Sequence, residues 1–291
     1  MNFKSLIYAT RPKTLPASII PVLIGSFASL DSPKFSISIT FLVLFCAVLI
    51  QIFTNFVNEI FDFLKGADNE KRQGPKRSIS TGDITVMQMT VASAIVGVVA
   101  FTAGLKLVMY SDWVILALGI ISLLFAFLYT GGPFPLAYNA LGDLFVFIFF
   151  GPAAVLGTYY IFSGIPGAGI VLASLAPGFL SANILAVNNI RDIPTDSEVN
   201  KRTFAIILGR STAIRLYNFT SLLSYLSVIA SGFISLNYWL CLPLISIPLA
   251  VKLSKELKNK YGKDLNSVLE KTGLLLMMFG LLLCLGFLFG K

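Results

Sequence analysis

Apolar residues in this chain come in long continuous runs. Phe41 to Ile50, Val114 to Tyr129 and Gly273 to Gly290 are examples, and none shows the three-in-seven stripe of a soluble helix. A helix that is apolar on every side needs either a very large protein interior or a lipid bilayer around it. Only 12% of the 291 residues are charged and 56% are hydrophobic, too few charges to cover the surface of a soluble globule of this length. The sequence therefore predicts an all-α, multi-pass transmembrane bundle. The stretch from Leu15 to Leu30 has basic residues ahead of it, as a signal peptide would. Pro16 and Pro21 inside it and the further spans directly after it mark it as the first span instead.

Nine spans are predicted, over 15–30, 38–63, 86–107, 112–131, 137–162, 168–190, 212–234, 238–254 and 272–290. They arrange as two four-helix halves plus a final helix, forming one domain over 1–291. An odd number of crossings puts the termini on opposite sides. With a cytoplasmic amino terminus, nineteen of the 22 basic residues fall in inner segments, leaving Lys34, Lys106 and Lys291 outside. The expected location is the cell membrane with a cytoplasmic active face and an outer carboxyl terminus. The net charge of +8 then reflects topology and attraction to an anionic leaflet, without nucleic acid as a partner. Cys46, Cys241 and Cys284 all lie in apolar runs without metal-site spacing. With no histidine in the chain, histidine triads and histidine-ligated zinc or haem are excluded.

Carboxylates concentrate in two places. Glu59, Asp62, Asp68, Glu70 and Asp83 lie at and after the end of the second span, and Asp192, Asp196 and Glu198 lie after the sixth. In the first cluster Asn55, Asn58, Glu59 and Asp62 follow i, i+3, i+4, i+7 and share one helical face. In the second, Asn188, Asp192 and Asp196 fall at i, i+4, i+8, with Pro194 expected to break the last turn and leave Asp196 in a loop. Acids at the end of a span need partners. The basic residues beside them are one possibility. Magnesium is another, since it takes hard oxygen ligands and fills its shell with water and phosphate oxygens. Two facing acidic motifs suit two magnesium ions bridged by a diphosphate.

The two motifs resemble the paired aspartate motifs of the UbiA superfamily of intramembrane aromatic prenyltransferases. Within it, the 1,4-dihydroxy-2-naphthoate polyprenyltransferase branch of the menaquinone pathway is suggested by Arg11-Pro12-Lys13-Thr14-Leu15-Pro16-Ala17-Ser18. Gly66-Ala67-Asp68 with Arg72, Gly74-Pro75 and Arg77 points the same way, as do Tyr129-Thr130-Gly131-Gly132-Pro133 and the stretch from Asn188-Asn189 through Lys201-Arg202-Thr203. The resemblance covers Arg11 to about Gly209. Glu59 stands where aspartate is expected and Asp143 where glutamate is expected, which leaves the roles of those two residues open.

The resemblance implies transfer of a polyprenyl group from a prenyl diphosphate to 1,4-dihydroxy-2-naphthoate, with loss of diphosphate and carbon dioxide, giving demethylmenaquinone. It assigns Asn58, Glu59, Asp62, Asp68, Asn188, Asp192 and Asp196 to magnesium and its water shell. Arg11, Arg72, Arg77 and Lys201 are the candidates for diphosphate contact, where a guanidinium fork matches phosphate oxygens and a lysine acts as a point charge. Tyr129 is a candidate for orienting the acceptor or facing the allylic cation. Asp143, isolated in an apolar segment, is a candidate for acceptor binding. The 25 phenylalanines suit either a tunnel for an isoprenoid tail or plain packing and lipid contact. Rival readings are another acceptor, 4-hydroxybenzoate or homogentisate, and an ion-coupled transporter, which would need carboxylates near the bilayer midplane.

Overall fold

The computed structural model describes residues 3–69 and 72–290; Glu70, Lys71 and Lys291 of the sequence reading lie outside them. The described residues form no named strand. They form eleven helices, against the nine expected. In chain order these are α1 (Phe3–Ala9), α2 (Pro16–Phe27), α3 (Ile37–Leu64), α4 (Val86–Val108), α5 (Trp113–Leu128) and α6 (Gly142–Ser163). They continue with α7 (Ala168–Arg191), α8 (Ile193–Glu198), α9 (Phe204–Ile234), α10 (Ile247–Asn259) and α11 (Leu265–Phe289). Six of them, α3, α4, α6, α7, α9 and α11, are long and apolar enough to cross a membrane, and α2 and α5 are shorter apolar helices. Large apolar side chains such as Phe41, Val98, Leu124 and Phe219 are exposed on the perimeter, where lipid takes the place of water. The chain is an integral membrane protein.

The two additional helices are short. One is α1. The other is α8, and it corrects the expectation that Pro194 leaves Asp196 in a loop: Asp192 leaves the helical conformation, and Pro194 stands in the first turn of a new helix that carries Asp196. Proline is favoured at that position because its missing N–H would have no helical partner there. Three boundaries also move. α9 begins at Phe204 because Thr203 caps it through the Ile206 N–H, and it is broken at Gly209, whose φ of 74° only glycine adopts freely. The eighth expected span is a 3-10 stretch, Tyr238–Ser246, followed by α10, and the last helix starts at Leu265.

Helix α7 packs along α9, α3 along α4, and α11 returns to lie on α2 and α7, so the last helix closes the bundle against the first span. The largest core cluster lies among α2, α7, α9 and α11 and includes Ile20, Leu180, Tyr217, Val228 and Phe279. Small residues set the closest approaches. A Cβ on Gly178 of α7 would lie 2.6 Å from the Phe147 carbonyl oxygen and 3.2 Å from the Gly151 Cα. Gly151 itself lies in a π turn, Phe149–Ala153, at the middle of α6.

Gly178→Ala must therefore push α6 and α7 apart, an overpacking cost of about 1–3 kcal/mol. Thermal unfolding of the purified protein should show a lower midpoint for Gly178→Ala. Gly119→Ala, whose Cβ meets nothing within 4 Å, should hold or raise it. An unchanged midpoint for Gly178→Ala would contradict this account of the crossing.

Candidate active site

The first acidic motif occupies the last turns of α3, where Asn55, Asn58, Glu59 and Asp62 are all buried on one face, as their spacing requires. Each is fixed by a different neighbour. Asn55 donates to the Thr10 carbonyl (2.9 Å), Asn58 accepts from the Thr130 hydroxyl (2.8 Å), Glu59 accepts from the Ile79 N–H (3.0 Å) and Asp62 accepts from the Tyr138 hydroxyl (2.8 Å). Beyond α3, Gly66 takes a φ of 73° and turns the chain back, so that the N–H groups of Ala67 and Asp68 both reach the Asp62 carbonyl. That turn buries Asp68 against Arg72, which donates to it, and against Arg77, whose Nε lies 3.4 Å away without hydrogen-bond geometry.

The second motif ends α7. Arg191, only 3% exposed, holds both oxygens of Asp192 at 2.8 and 2.6 Å. It also donates to Asn188 (2.7 Å) and to Asn266 on α11 (2.7 Å). Asn266 in turn donates to the Gln73 carbonyl, joining α11 to the loop that follows the first motif. On α8, Asp196 faces Lys201 at 3.4 Å.

Tyr138 stands between the motifs. Its hydroxyl is given to Asp62, while Lys65 and Lys201 lie over its ring at 4.3 and 5.3 Å. Its carbonyl accepts from the Arg202 N–H, and the Arg202 carbonyl accepts from Ala140, so the loop after α5 is pinned to the loop after α8. Burial, then the charge of Asp62, raises the Tyr138 hydroxyl well above its usual range, and it remains a donor. Arg191, Tyr138 and Lys65 were not among the sequence candidates. Arg191 did carry a signal, as a charge within the last turn of an apolar helix.

These groups border one end of a cavity of about 650 Å³. Asp62, Asp192, Asn188, Arg11, Arg77 and Lys201 line its polar end, and the other end is apolar, with Val43, Ile50, Leu107, Ile115, Leu118 and Ile161. Arg72, Asn58 and Glu59 also reach it, and Tyr129 and Asp143 line the same wall. The Tyr129 hydroxyl lies 3.2 Å from where a Cβ on Gly142 would stand. Asp68 and Asp196 do not line the cavity; each stands behind the wall with one buried oxygen, Oδ2, lacking a hydrogen-bond partner.

Burial dominates the electrostatics. It lowers the Arg11 guanidinium to about 9, with repulsion from Arg77 and Arg72 adding to the effect and Glu59 and Asp62 opposing it. Arg77 is lowered for the same reasons, burial first and then Arg72. Asp196 is pushed up to about 6 by burial and by the charges of Asp192 and Asp62, against the pull of Lys201. Crowded cations and crowded carboxylates at one end of a cavity favour a ligand that carries both signs of charge, as an anion bound with its metal ions does.

The donor set fits magnesium. It consists of hard carboxylate and amide oxygens, and two of them, Oδ2 of Asp68 and of Asp196, are buried without a hydrogen bond, each 3.4 Å from a basic nitrogen. Among the described residues no three acidic, histidine or cysteine side chains gather closely enough to hold an ion by themselves. A magnesium ion here would complete its shell with water and phosphate oxygens, which is its usual habit.

Residues 18–279 match the UbiA prenyltransferase family. The 1,4-dihydroxy-2-naphthoate octaprenyltransferase of Mycobacterium tuberculosis is 33% identical over 292 residues, covering 100% of this chain and 99% of that protein. The enzyme of the same name from Escherichia coli is 32% identical, covering 95% and 92%. Among solved structures, a UbiA homolog from Aeropyrum pernix K1 superimposes with a TM-score of 0.74 at 17% identity, covering 93% of this chain and 97% of that one. A UbiA homolog from Archaeoglobus fulgidus bound to DMAPP and Mg2+ superimposes at 0.65 with 12% identity, covering 96% and 99%. Both acidic motifs fall inside the matched residues, and on that match the chain belongs to the UbiA prenyltransferase family.

Proposed function

We propose that this protein transfers a polyprenyl group from a prenyl diphosphate to 1,4-dihydroxy-2-naphthoate. The net reaction releases diphosphate and carbon dioxide and gives demethylmenaquinol, the reduced form of demethylmenaquinone. The acceptor rests on the names of the full-length relatives. The observation that carries the chemistry is that Asp62 and Asp192, from motifs far apart in the chain, line the polar end of a cavity whose other end is apolar. That cavity suits a molecule with a charged head and an isoprenoid tail.

Asp62 and Asp192, with Asn58 and Asn188 beside them and Asp68 and Asp196 behind, are the oxygen groups that would hold magnesium, which supplies positive charge to the leaving diphosphate when bound. Glu59 is a lesser candidate, because it stands where the family resemblance expects an aspartate and its carboxylate is displaced by one methylene. Arg72, Arg77 and Lys201 face the diphosphate, and the sequence pattern groups Arg11 with them. As the carbon–oxygen bond breaks, its electron pair leaves on the diphosphate and an allylic cation remains. The electron-rich ring bonds to that cation, and the pair from the broken carbon–carboxylate bond replaces the pair it spent. Tyr129 turns its ring toward the cation, and Asp143 orients an acceptor hydroxyl. The protein's contribution is mainly electrostatic, placing fixed charge where charge develops.

The architecture extends the same reading: nine crossings in two four-helix halves plus a last helix, a cytoplasmic amino terminus and site, and an outer carboxyl terminus in the cell membrane. A cysteine appended after Lys291 should react with an impermeant thiol reagent only from the outer side. Labelling only from the cytoplasmic side would reverse the orientation.

Purified protein with a polyprenyl diphosphate should prenylate 1,4-dihydroxy-2-naphthoate in preference to 4-hydroxybenzoate and homogentisate; a preference for either of the others would overturn the acceptor. With the preferred acceptor, Asp62→Asn and Asp192→Asn should each lower turnover by about a hundredfold to a thousandfold in folded, inserted protein. Asp112→Asn should be nearly silent, since the asparagine oxygen can still cap α5 at the Val114 N–H and its amide NH2 can donate to the Tyr160 hydroxyl, reversing that bond. Near-normal turnover in both motif variants would reduce the acidic clusters to surface ion pairs.

A further inference from the structure

Two anions enter the proposed reaction, the diphosphate and the carboxylate of the acceptor. In a cavity of low polarity each needs its own counter-charge, because an unpaired buried carboxylate is costly. Magnesium, Arg72, Arg77 and Lys201 serve the diphosphate. The carboxylate has no assigned partner, and the basic groups on the cavity wall differ in what they have left to offer.

Arg191 has its Nε and Nη2 edge closed over Asp192. Arg72 spends Nε on the Pro75 carbonyl and Nη1 on Asp68, and the Arg77 Nε sits beside Asp68. Arg11 differs. Its Nε and Nη2 are both buried and both lack a hydrogen-bond partner. Those two atoms form one edge of the guanidinium, two parallel donors spaced to match the oxygens of a single planar carboxylate.

The backbone holds that edge in place. Arg11 adopts the left-handed conformation, φ 54° and ψ 65°, which is unfavourable for a residue with a side chain and persists only where the surroundings enforce it. Here the Arg11 N–H donates to the Tyr8 carbonyl, and the Arg11 carbonyl accepts from both the N–H and the hydroxyl of Thr14. On one side Asn55 of the first acidic motif holds the Thr10 carbonyl, and on the other Lys13 pairs with Glu270 of α11 at 2.6 Å. Arg11 lies within electrostatic reach of Tyr129, as does Asp143.

We infer that Arg11 is the residue that recognises the acceptor's carboxylate, binding it side-on through Nε and Nη2, and that it thereby selects carboxylated aromatic acceptors. This rests on the prenyl-transfer reading above and moves Arg11 from the diphosphate to the acceptor. A ring held by Arg11 through its carboxylate would lie in the cavity that Tyr129 and Asp143 also line.

The test compares two non-reacting probes, 1-hydroxy-2-naphthoate and 1-naphthol, which differ by the carboxylate alone, bound to full-length wild type and to Arg11→Lys. The lysine keeps the charge and loses the two-donor edge. Wild type should bind the carboxylated probe more tightly, and Arg11→Lys should weaken that probe by about tenfold to a hundredfold. Its affinity for 1-naphthol and for prenyl diphosphate should stay within about twofold of wild type, and the 1-naphthol result also reports intact folding. Equal binding of the two probes by wild type would overturn the inference without recourse to any variant. Loss of prenyl diphosphate affinity in Arg11→Lys with the carboxylated probe unaffected would return Arg11 to the diphosphate. Should wild type turn over another carboxylated phenol and not the naphthoate, the proposed acceptor falls, while the same pair of affinities still decides the role of Arg11.

Discussion

Charge buried at the end of an apolar bundle must be neutralised within the protein, and the rest of this structure is organised around that requirement. Glu59, Asp62, Asp68, Asp192 and Asp196 are gathered there with Arg11, Lys65, Arg72, Arg77, Arg191 and Lys201. Positive and negative groups are close to balance. Such a site has little net charge to give to a diphosphate, which brings several negative charges of its own. Under the proposed reaction, added cations would supply that missing charge, and a diphosphate bound with magnesium would bring less net charge into the site than the free anion.

Holding that balance requires elements from the whole chain. The end of α3 and the turn after it, with the junction of α7 and α8, supply the acids, but their orientation depends on Tyr138 from the loop after α5, on Lys201 beyond α8 and on Asn266 at the start of α11. The pairing of Tyr138 and Ala140 with Arg202 fixes one loop against the other. The chain of contacts Asp192, Arg191, Asn266, Gln73 fixes the final helix against the first motif's loop. The packing of α11 on α2 therefore does more than complete the core: it positions Asn266, through which Arg191 and Asp192 are held.

Much of this was legible in the sequence, and the reasons for the gaps are physical. The face formed by Asn55, Asn58, Glu59 and Asp62 follows from helical spacing alone, and the apolar runs lead directly to α3, α4, α6, α7 and α11. Asp68 and Asp196 were read as equal members of the metal set, whereas the turn at Gly66 and the helix started by Pro194 set both behind the cavity wall. Spacing could not reveal Arg191, whose partner Asn266 lies 75 residues away, nor the hydroxyl of Tyr138, 76 residues from Asp62. Pro194 was read as a breaker because proline inside a helix removes a hydrogen bond. In the first turn the same missing N–H costs nothing, and Asp192 ends one helix where Ile193 begins the next.

The central claim is that the two acidic motifs act together, through magnesium, on a prenyl diphosphate. Its most direct test is equilibrium binding of a polyprenyl diphosphate to the full-length protein in lipid nanodiscs, with magnesium and then with excess chelator. The account requires affinity to fall by at least about tenfold when the metal is removed, and to recover when magnesium is restored. Equal affinity in chelator would mean that the basic residues alone hold the diphosphate, and that Asp62 and Asp192 line the cavity for some other reason.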